Sequence, residues 1–179
     1  RAQPRSRGLG DVYKRQDSTT ANFGSLDFSG AAVSITEASA MEVAASEATG
    51  ALTLVASGAV TQTGAIDADS TASVTAGANA ITLTNAGNDF TGAVSLSNSG
   101  SNDVALTDAN ALDLGTVGVG QNLTVTTGGA LTDSGAVTVA GLGTIVSTGF
   151  DVTLGDSTNA NFGSLDSVSY THLTLPTKA

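Results

Sequence analysis

"LTLVASGAVTQTGAI" at 52–66 and "LTVTTGGALTDSGAV" at 123–137 are two versions of one text, at an offset of 71. Between them Gly58/Gly129, Ala59/Ala130, Gly64/Gly135 and Ala65/Ala136 stay in register. Upstream, "VSITEASAMEV" (33–43) lies over "VALTDANALDL" (104–114), every pair identical or similar, including Glu37/Asp108, Met41/Leu112 and Glu42/Asp113. The register holds without a gap from Val33/Val104 to Asn88/Asn159. A third partial copy shows in "DSTTANFGSLD" (17–27) and "DSTNANFGSLD" (156–166), which differ at one position and lie at nearly twice that offset, so that Phe23, Phe90 and Phe162 mark equivalent points. A repeat of this kind is tested before anything else, because it decides the architecture.

Within each unit an apolar–small–apolar motif recurs, beginning at Val33, Leu52, Ile81, Val104, Leu123 and Val152, at successive offsets of 19, 29, 23, 19 and 29. Three such sub-repeats fill the 71-residue super-repeat, about 24 residues each, which predicts one coil of a parallel β-solenoid per sub-repeat. The local pattern agrees. "AVSITEAS", "ALTLVAS", "NAITLTN", "DVALTD", "QNLTVTT" and "DVTLGD" alternate apolar with Thr, Ser or acid at period 2, so one face of each strand goes inside and the other meets water. Gly and Asn in the connectors supply residues that tolerate positive φ at coil corners. The alanine-rich 36–50 has helical propensity, but its copy at 107–121 is glycine-rich and strand-like; equivalent repeats share one structure, so both are expected as strand. A pair of immunoglobulin-like sandwiches is the rival, and it is disfavoured by the missing Trp, the lack of Pro in the body and the short sub-repeat. The expected fold is therefore all-β, a parallel β-helix.

Composition divides the chain into three parts. All six basic residues, both prolines, both tyrosines and the only histidine fall at the two ends, and fifteen of the sixteen acids lie in 17–167, giving that stretch a formal charge of −15. Residues 1–16 and 168–179 are read as non-native or disordered segments flanking a repeat domain at 17–167; "RGLGDVYKRQ" and "VSYTHLTLPTKA" resemble translated sequencing-adapter sequence, which makes a fragment with false termini the expectation. The acidic balance excludes nucleic-acid or anionic-membrane binding through a basic patch. No run of apolar residues is long enough for a spanning helix, so no membrane insertion by a helix is expected.

Chemistry has little to work with. Without Cys, thiolate metal sites and Cys nucleophiles are excluded; within 17–167 only Asp/Glu and Ser/Thr remain for acid–base or nucleophilic work. Asp67 and Asp69 form a carboxylate pair of the kind glycosidases use, but they align with Thr138 and Ala140, so a solvated turn is preferred and no catalytic residue is assigned. Asp67, Asp69, Asn85, Asn88 and Asp89 are weak calcium candidates, since hard cations take several oxygen ligands from turns; no other cofactor is expected. Asn122 opens an Asn-Leu-Thr sequon inside a repeat strand, read as chance. Glu37, Glu42, Asp108, Asp113, Asp151 and Asp156 are expected as outer acids that discourage edge-to-edge sheet growth. Thr82/Thr84 and Thr124/Thr126 form outward Thr-x-Thr pairs, but their copies read Thr153/Gly155 and Thr53/Val55, so a continuous threonine ladder is expected to be broken.

"NLTVTTGGALTDSG", "VALTDANALDLGTV" and "ITLTNAGNDFTGAVSLS" resemble the degenerate repeats of very large bacterial surface exoproteins of the filamentous-haemagglutinin and autotransporter-adhesin type. The resemblance covers roughly 17–167. It implies a right-handed parallel β-helix stalk, secreted and displayed at the cell surface, with no catalytic residue. The expected function is a structural, non-catalytic stalk segment whose partners are neighbouring coils of the same long chain and, by extension, host or environmental surface glycans. Two alternatives stay open: a module that binds glycan or ice through its Thr/Asn/Asp-rich outer face, and a polysaccharide-acting β-helix enzyme.

Overall fold

Alternation of small apolar and polar residues at period 2 produces short strands, and the corners between them carry Gly, Asn and Ser. The computed structural model describes residues 13–14, 22–155, 159–169 and 173–174. Among the described residues twenty strands pair only in parallel and there is no helix. The chain winds as a β-solenoid of about seven coils with three faces.

Face 1 stacks Val33–Glu37, Leu52–Ala56, Ala72–Thr75 and Val94–Ser97, then 117–119, 137–139 and 160–162. Face 2 stacks Met41–Val43, Val60–Gln62, Ile81–Leu83, Val104–Asp108 and Leu123–Thr127, then 143–146. Face 3 runs through Ser29–Gly30, Ser46–Ala48, Ile66–Ala68 and Asp89–Phe90. It resumes with 112–114, Leu131–Asp133, Val152–Thr153 and Leu173–Thr174. At the N-terminal end Tyr13–Lys14 pairs with Val33–Ser34. The alanine-rich 36–50 forms the strands Met41–Val43 and Ser46–Ala48 and no helix, as its glycine-rich copy implied.

The interior is filled by like residues stacked at the strand spacing of about 4.8 Å. Leu54, Val74 and Leu96 form one such column, Leu83, Leu106, Val125 and Ile145 a second, and Leu112, Leu131 and Val152 a third. All are buried. Phe90, the largest of the fully buried side chains, continues the column begun by Ala48 and Ala68. Narrow coils leave room for an aromatic ring only where the coil lengthens, and the step from Ala68 to Phe90 is longer than the step from Ala48 to Ala68.

The coils are shorter than the motif spacing implies. Paired positions are offset along the chain by 19 (Val33, Leu52), 20 (Leu52, Ala72) or 23 (Ile81, Val104). The motif starts spread over all three faces: Val33 and Leu52 on face 1, Ile81, Val104 and Leu123 on face 2, Val152 on face 3. The long step from Leu52 to Ile81 is therefore one coil plus one face. The 71-residue unit holds ten strands, three coils and one further face, so each copy starts one face around from the last. Val33 on face 1 has its copy Val104 on face 2; Met41 on face 2 has Leu112 on face 3; Ile66 on face 3 has Val137 back on face 1. One unit advances about 16 Å along the axis at the strand spacing.

The glycines shared by the two copies are explained by packing. Positive φ occurs only at Gly77, Gly100, Gly149 and Gly155 among the described residues, and at no Asn. Gly58 and Gly129 instead lie directly over the backbone of the preceding coil: an added Cβ would sit 2.5 Å from the Ala40 nitrogen in one copy and 2.6 Å from the Ala111 nitrogen in the other. Gly64 and Gly135 make the same approach to Ala45 and Gly115–Thr116.

Candidate functional site

The corners are where buried polar groups collect, because backbone N–H groups leave the ladder there and need acceptors. Glu37 and Asp108, expected outside, are both buried. The Phe23 N–H and the Ser39 hydroxyl donate to Glu37 Oε1, each at 2.9 Å. The Phe90 N–H donates to Asp108 Oδ1 at 2.9 Å and the Asn110 N–H to Oδ2 at 3.3 Å. Repeat-equivalent acids thus do one job: a carboxylate stands in for a ladder carbonyl and receives the amide of the coil before it. Burial pushes the Asp108 carboxyl above its ordinary range; the amides of Phe90 and Asn110 oppose the shift and the neighbouring Asp89 charge adds to it. Glu37 Oε2 has no hydrogen-bond partner. Of the other outer acids, Asp151 is exposed, Glu42 and Asp113 are half-buried, and Asp156 lies outside the described residues.

At the next corner Gln62 and Asn88 pair through their amides, Gln62 Nε2 donating to Asn88 Oδ1 (2.8 Å) and Asn88 Nδ2 to Gln62 Oε1 (3.0 Å). Asn88 also donates to the Leu83 and Thr107 carbonyls and accepts from the Ile66 N–H. Asn98 donates to the carbonyls of Asn79 and Asn102 and accepts from the Gly120 N–H. These amides peg coil to coil. Sequence reading missed them, since an Asn in a turn looks the same whether its side chain points in or out.

This placement bears on the calcium candidates. Asn88 is buried with both ends of its amide engaged, and Asn85 Oδ1 accepts from the Gly87 N–H. Asp67 and Asp69 are exposed and Asp89 half-buried. Asp67 and Asp89 are register partners, and Glu47 extends the same outward column on face 3. The offsets of 20 and 22 between these acids were the signal that the longer expected coil obscured. Among the described residues no three His, Cys, Asp or Glu side chains are placed to hold a metal ion, and no helix is long and apolar enough to cross a membrane.

The three outer faces differ in chemistry. Face 3 carries the acid column. Face 1 presents Ser34, Thr53, Ser73 and Ser95, but its register shifts between Val94 and Leu96 against the next coil. Face 2 presents threonine: Thr61 beside Thr82, then Ala105, Thr124 and Thr144 in one column, and Thr84 beside Thr107, Thr126 and Val146 in a second. The two Thr-x-Thr pairs thus share one face, with Thr107 in the coil between them. The copies that break the ladder in the sequence, Thr53/Val55 and Thr153, lie on faces 1 and 3. Towards the N-terminal end Phe23, Leu26, Phe28, Val33 and Ile35 line a cavity of about 420 Å³.

Residues 30–97 and 101–169 each match the family described as Repeats of unknown function (DUF5649), together more than three quarters of the chain. The chain belongs to that family. The two DUF5649 matches begin at 30 and 101, the spacing of the internal repeat, so one family unit is the ten-strand, one-face-advanced segment described above. No curated protein and no solved structure is detectably similar.

Proposed function

We propose that the chain is a structural, non-catalytic stalk segment of a secreted bacterial adhesin displayed at the cell surface. The observation that carries this reading is the way one DUF5649 unit joins the next. The ladder on face 2 crosses from Ile81–Leu83 into Val104–Asp108 without a register shift, so tandem units extend one continuous rod of about 16 Å per unit. The buried side chains are engaged in holding coil to coil, by hydrophobic stacking and by the polar pegs at Glu37, Asn88, Asn98 and Asp108. Such a rod projects whatever it carries, and its partners are the neighbouring coils of the same long chain. The absence of Lys, Arg and His from 17–167 supports a role without nucleic acid and without catalysis on anionic sugars.

The test is to sequence the source locus with reads long enough to pass both ends of this coding segment. Many further repeat units leading to a secretion or outer-membrane domain are expected. A gene that closes within a few coils would defeat the stalk reading.

A further inference from the structure

We infer that face 2 is an ice-binding surface, its ligand the ordered water lattice of an ice crystal face. Four observations carry this beyond the spacer role. First, the face is regular in two directions: coils repeat at about 4.8 Å and outward residues i and i+2 stand about 6.6 Å apart, near the two oxygen repeats of a prism face of ice. The pairs Thr82/Ala105, Ala105/Thr124 and Thr124/Thr144, and beside them Thr107/Thr126, hold this grid without a register shift. Face 1 breaks its grid at Val94–Leu96. Second, the hydroxyls are available. Thr61 reaches the Met41 carbonyl at 3.4 Å, but among the described residues the hydroxyls of Thr82, Thr84, Thr107, Thr124, Thr126 and Thr144 bond no protein group.

Third, the grid is uncharged, with Glu42 and Asp166 at its two ends. A charged side chain organises water radially around itself, whereas a hydroxyl beside a methyl lets water keep a tetrahedral net. The two exceptions, Ala105 and Val146, keep a methyl at the site. Fourth, the grid combines positions that the repeat does not relate. Thr82 and Thr84 come from one unit and Thr124 and Thr126 from a different strand of the next, and the copies Thr53, Val55 and Thr153 sit on other faces. A sugar polymer is the less suitable occupant, because face 2 carries no aromatic ring for a pyranose to stack on.

The experiment uses the full chain, fluorescently labelled, in ice grown slowly on a cold finger from dilute solution. Wild type is expected to enter the ice, whereas an ordinary solute is left in the liquid. Thr53 and Thr124 are repeat equivalents on different faces, which supplies the control. T124Y is expected to lower the ice-bound fraction about tenfold, the effect of losing one central anchor, and T53Y to leave it unchanged. Circular dichroism establishes that each variant is folded, and T82Y on the same face replaces T124Y should that chain not fold. Exclusion of wild type from ice, equal loss in T53Y, or retention on insoluble cellulose or chitin with none on ice would each overturn the inference. None of these outcomes bears on the stalk reading, which the locus sequence tests separately.

Discussion

Gly129→Ala is a sharp test of how the coils pack. The added Cβ would lie 2.6 Å from the Ala111 nitrogen and 2.8 Å from its Cα. Ordinary contact begins near 3.4 Å, so the corner must lift by about half an ångström or more, and the obstacle is backbone with no rotamer to yield. Overpacking of this kind costs about 1–3 kcal/mol. Against it stands the loss of chain entropy in the unfolded state, which favours Ala over Gly by about 0.4–1 kcal/mol where φ is compatible. The net is a destabilisation of about 1–2 kcal/mol, or a fall in Tm of roughly 2–8 °C for a domain of this size. Gly118→Ala is the matched control: nothing lies within 4 Å of its Cβ and its φ is not in the left-handed region, so only the entropy gain remains and Tm should hold or rise. Thermal unfolding followed by far-ultraviolet circular dichroism reads both. A Gly129→Ala chain as stable as wild type, or a Gly118→Ala chain that loses more, would refute close approach as the reason these glycines recur.

Register and charge each supply a further test. The chain has no Cys of its own, so T53C/S73C, register partners on adjacent strands about 4.8 Å apart at Cα and within disulfide range, should close on mild oxidation and migrate faster on a non-reducing gel; T53C/T82C, the pair that stacking of successive motif starts would bring together, should stay open, and the reverse pattern would overturn the three-face register. A buried carboxyl whose folded pKa is raised adds stability that is complete below its unfolded pKa of ~3.9 and lost as pH rises through the folded value. Wild type should therefore gain on Asp108→Asn as pH falls from ~7 towards ~4, read as the difference between their melting temperatures; a difference that is flat or shrinks would refute the burial of a costly charge at Asp108.

The fold was legible because strand alternation and the repeat offset are both properties of the linear text. What was not legible is the angle at which one copy meets the next. Reading Val33, Leu52, Ile81 and Val104 as successive coil starts treats every motif as occupying the same face. Leu52 in fact stacks on Ala72, a residue too plain to register as a motif, and Ile81 on Val60. The same error scattered the threonines. Inside and outside were equally ambiguous for corner residues: Glu37 and Asp108 end strands whose alternation points them inward, but a carboxylate at a strand end reads as a surface group until its bond to the Phe23 or Phe90 amide is seen. Gly58 and Gly129 recur between the copies as turn glycines do, but the commoner cause, positive φ, is absent at both, and close approach to the preceding coil takes its place.

The one-face advance also sets what copying a unit can build. A side chain fixed in the unit returns to its starting face only after three units, ten coils or about 48 Å, and in between it visits the other two faces. Duplication alone therefore produces a rod whose chemistry spirals, which suits a spacer that must be stiff and soluble from every side. A flat grid confined to one face needs the copies to diverge, gaining threonine at one position and losing it at its equivalent. Thr124 and Thr126 stand opposite Thr53 and Val55, and Thr82 and Thr84 opposite Thr153 and Gly155. In both pairs the second threonine is present on face 2 and absent from its copy. Val146 runs the other way, standing on face 2 where its copy on face 1 is Thr75, so the T124Y and T53Y comparison asks whether the two gains answer to ice or to drift.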